Sequence, residues 1–481
     1  MSAPARGAGR PAAGLRESLD VTVPAGAEPP PPAAPSAARP GPPPQVRLAA
    51  FWFGIYFLTG SFLNVVLPFL IVPEHPSAQD PSLVGDSLKN TALAVLEGFG
   101  LLVALVVQPA AGAISDRLWG RFGRRRPMMV VGVAVAVLSL ALTGSARTFW
   151  LLVACYSLMQ VAMNVAQGAY QGLLPDTVPG ADRSHASGLL GVAILSGQVA
   201  GTVTAGLLAP RVIVYPIAAV VALSAAVTVL GVHEQPLPRP PSIPRPAQGG
   251  PGVGARLRAY LADFRAYPDF CVVVASRFLI FTGLACVQRF AANYLRDNFT
   301  EYRLFGAVSL GSAQSATAVL FGIVILFGLL ATYPAVRVSQ RVGRRPVVVA
   351  AALLGAAGTL SFTVAPNLSV ILVEAIPIGV GFGMLVSVDW AFMADLAPRD
   401  RAGKFLGFSN IASVGAQSLV PFAMGPLIDQ LDRGGGTAGY RVMFVTAFVF
   451  YVLGALILRR VHLERHPDAE GAPAPALMAP A

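Results

Sequence analysis

The sequence predicts an all-α integral membrane protein of about twelve transmembrane helices, arranged as two six-helix bundles that repeat one another in parallel. Three observations carry this. Apolar runs of about 20 residues, long enough to cross a hydrocarbon core, recur from about residue 48 to residue 459. Arginine-dense loops fall between them, and such loops stay on the cytoplasmic face, which orients every other span. Short motifs of the first half return in the second at an offset of about 220 residues.

Bulk composition agrees. The 481 residues are 54% hydrophobic and only 12% charged, with a mean hydropathy of +0.63. The net charge of +11 could suggest nucleic acid, but the arginines recur in short loops instead of forming one stripe, so no nucleic-acid partner is expected. Cys155, Cys271 and Cys286 lie inside apolar runs without C-x-x-C spacing, which points to packing and not to disulfides or metal.

Taken in order, residues 1–46 are rich in Pro, Ala and Gly and read as a disordered cytoplasmic tail. The N-terminal bundle follows at 47–232. Its first span runs from about Leu48 to Val72 and is interrupted by Asn64 and Pro68. The next loop carries Glu74, Asp80 and Asp86 against Lys89 alone, so it belongs outside. The second span, about Leu88 to Ile114, returns to a loop with five arginines between Gly112 and Pro127, and four further runs lie at about 128–146, 149–172, 187–209 and 212–232. A Pro- and Gly-rich stretch at 233–267 reads as a cytoplasmic linker. The second bundle, 268–466, has runs at about 269–295, 312–337, 347–365, 368–393, 405–429 and 440–459, followed by a disordered tail at 467–481. An even count places both termini in the cytoplasm.

The repeat is specific. Gly123-Arg124-Arg125 before Pro127 has its counterpart in Gly343-Arg344-Arg345-Pro346, and Pro175-Asp176 followed by Pro179 has one in Ala394-Asp395 followed by Pro398. Two six-span halves in parallel repeat are the plan of a large transporter class.

On these residues the sequence resembles the major facilitator superfamily. Gly112-x-x-x-Asp116-Arg117 followed by Gly123-Arg124-Arg125 is similar to its signature loop between spans two and three, and the resemblance covers nearly everything between the tails. The extended Arg-x-Gly-Arg-Arg-Arg-Pro end is similar to the sucrose transporters and related glycoside–cation symporters. In the second copy Gln340 stands where the signature has Asp, and Val336 where it has Gly. The resemblance implies the major facilitator fold and alternating access, with the signature loops latching the cytoplasmic side. The latch residues it implies are Asp116, Arg117, Arg124, Arg125 and Asp176 in one half, and Arg344, Arg345 and Asp395 in the other. Charge-assisted contacts there could form and break with the bundle angle, or the same residues could anchor helix ends at the interface.

Polar residues inside spans face protein or a cavity, because an unpaired polar group in lipid is costly. In span four Gln160, Asn164, Gln167 and Gln171 are spaced by four, three and four, which puts them on one helical face near Tyr156, Met163 and Tyr170. Amides beside rings suit a polyhydroxylated ligand, since hydroxyls need donors and acceptors while sugar faces need flat apolar surface. Interhelical glue would give the same pattern. Asn64 and Gln288 join these four as candidate substrate-binding residues.

Charges within the membrane are few. Counting depth along opposed helices places Arg289 and Glu374 toward the outside, and Arg277 and Asp389 toward the inside, so two ion pairs between spans seven and ten are possible, serving transport or statically stapling the second bundle. Glu97 has no basic residue at its depth in the first bundle. A lone carboxyl there would spend part of its time protonated, which makes Glu97 the first candidate for proton coupling and Glu374 the second, a neutral hydrogen-bonded Glu97 without a transport role being the alternative. In span five Gly197-x-x-x-Gly201, with Gly188, Gly191 and Ser196, is expected to permit close helix approach.

No Ser/His/Asp set, metal cluster or phosphate loop stands out, so neither an enzyme nor a cofactor is expected. The reading is a secondary active transporter in the cytoplasmic membrane, working as a monomer on a small polar solute, a sugar or glycoside, with a proton as coupling ion. A drug/proton antiporter and a non-transporting membrane receptor are the alternatives.

Overall fold

The computed structural model describes residues 44–461 apart from 79, 116–117, 119–121, 174–176, 179–182, 233–263, 265–266, 398–401 and 434–435. Among the described residues there are twelve long helices: α1 (Gln45–Ile71), α2 (Lys89–Ser115), α3 (Arg126–Thr143), α4 (Phe149–Gln171), α5 (Arg183–Ala205), α6 (Pro210–Gly231), α7 (Pro268–Asn298), α8 (Ala313–Val342), α9 (Arg344–Ser361), α10 (Leu368–Leu396), α11 (Ala402–Leu431) and α12 (Ala438–Ile457). Ten are long and apolar enough to cross a membrane by length and composition. The other two, α2 and α9, have 27 and 18 residues. The chain is a multi-pass membrane protein. A two-residue hairpin, β1 (Arg303–Leu304) with β2 (Val308–Ser309), closes the loop after α7.

Local chemistry sets the helix ends. Thr148, Ser312 and Asn367 cap α4, α8 and α10 by accepting the backbone N–H three residues on. Proline stands in the first turn of α3, α6 and α7, where its missing N–H costs nothing. Gly343, at φ +89°, ends α8 and starts α9 in a conformation that side chains rarely adopt. In α1, Pro68 cannot donate to the ladder, and residues Thr59–Val66 just before it wind as a π-helix.

Packing repeats with the sequence. In the first half α1 lies against α5 and α6, α2 against α4, and α3 against α4 and α6. In the second, α7 lies against α11 and α12, α8 against α10, and α9 against α10 and α12, which is the same scheme shifted by six helices. The halves meet where α2 packs on α11 and α5 on α8, two seams that exchange under the same shift. In α5 a Cβ at Gly197 or Gly201 would strike the carbonyls of Phe53 and Phe57, so these two glycines set the approach to α1. Gly188 and Gly191 meet nothing within 4 Å, and Ser196 turns its hydroxyl back to the Val192 carbonyl. That part of the small-residue stripe therefore makes no close approach.

The end carrying Asp80 is tied across the seams. A side chain at Gly425 of α11 would hit the Asn90 carbonyl of α2, and Gly98 of α2 sits under the Phe422 ring. On the other seam Gln314 of α8 donates to the Ala205 and Leu208 carbonyls, and Ser315 donates to that of Gly206. At the end carrying Arg124, Arg125 donates to Ser115 at 2.8 Å and Arg344 pairs with Asp395 at 2.6 Å, each within its own half.

Candidate functional site

Four helices bring polar groups together where the halves meet, about a third of the way in from the Asp80 end. The π-wound turn of α1 presents Asn64, which is 4% exposed. Its Oδ1 accepts from Gln288 Nε2 of α7 at 3.3 Å. Beside it Arg289 of α7 reaches across to Glu97 of α2, with Nη1 to Oε1 at 3.0 Å. Both contacts join the first half to the second.

These groups are not fully satisfied. Asn64 Nδ2, Glu97 Oε2 and Arg289 Nε are buried with no hydrogen-bond partner. Two donors and one acceptor thus remain available, and leaving such groups unpaired is costly unless something else binds them. Helix α4 comes close at Gly100 of α2: a Cβ there would lie 2.5 Å from Gln160 Nε2 and 3.1 Å from the Tyr156 hydroxyl. A side chain there would displace that amide.

The α4 stripe divides by depth. Gln160 and Gln167 are half-buried, Asn164 is buried and Gln171 is exposed. Asn164 donates to the Gln160 carbonyl of its own helix at 2.8 Å. Among the described residues the side-chain amides of Gln160, Gln167 and Gln171 make no hydrogen bond to another helix. The neighbouring side chains do pack: Tyr156 stacks on Phe62 at 6.5 Å, Met163 is buried, and Tyr170 donates to the Leu48 carbonyl of α1 at 2.7 Å. The rings on this face therefore belong to the interior of the first half.

The second half holds its own pair. Arg277 of α7 meets Asp389 of α10 at 3.1 Å, both nearly covered, and also donates to Ser409 of α11 at 2.9 Å. Its guanidinium lies over Phe281 at 5.3 Å and Trp390 at 5.6 Å. Three helices of one bundle share this cation.

Two expectations about charge are corrected. Arg289 pairs with Glu97 and not with Glu374, and Glu97 is not alone. At 1.5 Å per residue Glu97 and Arg289 lie about 12 and 14 Å from the Asp80-side ends of their helices, whereas Glu374 lies about 9 Å from its own. Depth thus matches better across the halves than within the second, and α10 packs mainly on α8 and α9. Glu374 sits beside Ser361 of α9, half-buried, with Oε2 unpaired.

Of the residues named for a latch, Asp116, Arg117 and Asp176 lie outside the described residues. Arg124 is half-buried and Arg125 buried. Arg344 holds Asp395 and the Ala391 carbonyl, and Arg345 donates to the Val461 carbonyl at 3.1 Å.

Sequence reasoning missed a polar layer at the Asp80 end. Lys89 bridges Asp86 at 3.0 Å and Asp297 at 2.8 Å, and Arg296 pairs with Asp86 and Asp297 and donates to the Val72 carbonyl. Partial burial alone would raise the Asp86 carboxyl, but Arg296 and Lys89 together hold it below the usual carboxylate range. Asn90, Asn293, Asp429 and Tyr440 complete the layer. The available signal was Asn90 and Asp429, polar residues just inside helix ends on opposite halves.

The family model of the Major Facilitator Superfamily matches residues 49–302 and 278–480. Among curated proteins the chain is similar to the general alpha-glucoside permease of Schizosaccharomyces pombe, 29% identical over 160 residues, which is 30% of this chain and 28% of the permease. It is similar to the class C tetracycline resistance protein of Escherichia coli, 31% identical over 136 residues, covering 27% of this chain and 32% of that protein. It is also similar to the minor myo-inositol transporter IolF of Bacillus subtilis, 26% identical over 161 residues, covering 34% of each. The matched segments span about a third of these relatives. Among solved structures, the nucleoside transporter NupG superposes with a TM-score of 0.66 at 12% identity, over 87% of this chain and 99% of that one. A bacterial homolog of the human lysosomal transporter Spinster, inward-facing and unoccupied, superposes with a TM-score of 0.63 at 15% identity, over 89% and 100%. These likenesses agree with the repeated six-helix packing, and the family model matches well over half of the sequence. The chain belongs to the Major Facilitator Superfamily.

Proposed function

We propose that this protein is a secondary active transporter that moves a small polar solute, a sugar or glycoside, across the cytoplasmic membrane by alternating access, with a proton as coupling ion. The observation that carries the reading is the polar centre to which both halves contribute. Asn64 and Glu97 come from one half and Gln288 and Arg289 from the other, with two buried donors and an acceptor unpaired. A hydroxylated solute offers both kinds of partner. The free amides of Gln160 and Gln167 extend the same chemistry along α4, with Asn164 between them and Gln171 at its end. Two of the similar proteins carry a glucoside and an inositol in their names.

Orientation follows from charge. The Arg124 loop and both termini lie in the cytoplasm and Asp80 lies outside, because arginine resists translocation. The described contacts then hold the outer end shut. Asp116, Arg117, Arg124, Arg125 and Asp176, with Arg344, Arg345 and Asp395, form the cytoplasmic latch in this reading. Labelling of intact cells with an impermeant thiol reagent tests the orientation: a Cys at position 80 should react and one at position 245 should not, and the reverse pattern overturns it.

Purified protein in liposomes with an imposed proton gradient tests the activity. Uptake of a labelled glucoside above its equilibrium level, abolished by a protonophore, is the expected result. Binding without uptake would instead mark a receptor. The similarity to the tetracycline resistance protein favours a second reading, an exporter of amphiphilic compounds. Gradient-driven movement of a hydrophobic drug, with none of any sugar, would establish it in place of the first.

A further inference from the structure

We propose that the outer end is held shut by helix caps that each half lends to the other, with Asp429 as the main one; the inference rests on the alternating-access reading above. Asp429, near the end of α11, is 5% exposed, and its carboxylate leaves its own half. Oδ1 accepts from the Asn90 backbone N–H at 3.3 Å and from the Asn90 amide at 2.9 Å. Oδ2 accepts from the Thr91 N–H at 2.7 Å and from its hydroxyl at 2.6 Å. Asn90 and Thr91 stand in the first turn of α2, where backbone N–H groups have no partner within their helix. A carboxylate there satisfies them and faces the positive end of the helix dipole. Ordinarily the residue before the helix supplies such a cap. Here it comes from a separate bundle.

The same device recurs at the pseudo-equivalent helix. Ala313, the first residue of α8, donates its N–H at 2.8 Å to Oε2 of Glu74, which belongs to the loop after α1. So α2 takes its cap from the second half, and α8, which has its own N-cap in Ser312, takes a further acceptor from the first. The two are unequal, since Asp429 accepts four hydrogen bonds from α2 and Glu74 one from α8. Separating the halves at this end strips a buried carboxylate of all its partners and orphans two N–H groups in one step. A cavity of about 220 Å³ lined by Lys89, Asp429 and Asp432 adjoins the cap, where water can enter as the contact breaks.

The test reads distance and not transport. In full-length protein in lipid nanodiscs, with Cys155, Cys271 and Cys286 replaced by Ala, spin labels at positions 87 and 433, both exposed, report the separation of α2 and α11 by pulsed electron resonance. The unaltered latch should give a single short distance. Asp429→Asn places an amide N–H against the donors of α2 and should raise the ratio of long to short distances about tenfold, the scale of one lost charge-assisted bond. Glu74→Gln should raise it less, and the two together more than either. Thr91→Val, which removes one of the four bonds and keeps the carboxylate, serves if Asp429→Asn does not fold, and should also lengthen the distance. A distribution unchanged from the parent in folded Asp429→Asn, or in Thr91→Val if that variant replaces it, overturns the proposal. No solute is present, so a protein that carries nothing would still reveal the latch, and a missing latch would leave the liposome uptake result standing.

Discussion

Two buried ion pairs on the same helix contrast in what they join. Arg277 and Arg289 both belong to α7, yet Arg277 is held by Asp389 and Ser409 inside the second half, while Arg289 crosses to Glu97 in the first. The inner-bundle pair is wrapped by two aromatic rings and a hydroxyl. Each arginine leaves a buried Nε unmatched, but only the crossing pair also leaves a carboxylate oxygen, Glu97 Oε2, buried without a partner. A pair within one bundle moves as a rigid part of it and has no need to break. In the proposed alternating access a pair between bundles exchanges partners, and the spare acceptor on Glu97 is what such an exchange requires.

The largest effect that would sharpen this contrast is on folding. Arg277→Leu should strand Asp389 in the interior and cost about 3–5 kcal/mol, the scale for breaking a buried pair. The expected result is little monodisperse protein after extraction in mild detergent. Replacing Asp389 by Leu as well should restore it, because the uncompensated charge is gone. A single variant as stable as the parent would show that the inner pair is no staple.

Next in size is an effect on coupling. Glu97→Gln keeps shape and hydrogen bonding but cannot exchange a proton. It should therefore remove gradient-driven accumulation in liposomes while sparing exchange of labelled for unlabelled solute. Normal accumulation by this variant would place the proton elsewhere. Gln167→Ala should then weaken solute binding by about 1 kcal/mol, roughly fivefold in Kd, through one lost hydrogen bond. An unchanged Kd by calorimetry would return the α4 stripe to a packing role. The smallest effect is expected at Glu374, which touches only its own half: Glu374→Gln should leave accumulation within about twofold of the parent, on the scale of ordinary hydrogen-bond changes. Loss of accumulation there, with Glu97→Gln active, would move the coupling site into the second bundle.

Much of the architecture could be read from the chain. The helices fall close to the apolar runs, the repeat that pairs Gly123-Arg124-Arg125 with Gly343-Arg344-Arg345 reappears as a packing scheme shifted by six helices, and the i, i+4, i+7 amides do share one face of α4. The site was legible only in fragments. Asn64 and Gln288 were candidates individually, but nothing in either segment announced that they touch. Glu97 has no basic residue at its depth in its own bundle, and Asp429 stands at the end of its apolar run, so neither segment names a partner in the other half.

The sequence by itself determined how many long helices the described residues form, roughly where they start, which loops bear arginine and that the second half repeats the first. Hydropathy, charge and capping act over a few residues, so they can be read locally. Only the tertiary structure decided which faces meet across the seam: Glu97 with Arg289, Asn64 with Gln288, and Asp429 with the first turn of α2. Counting along a helix gives a residue's depth in the membrane. Its partner depends also on how that helix is rotated and which helix lies opposite, and both are set by packing many side chains from distant parts of the chain at once.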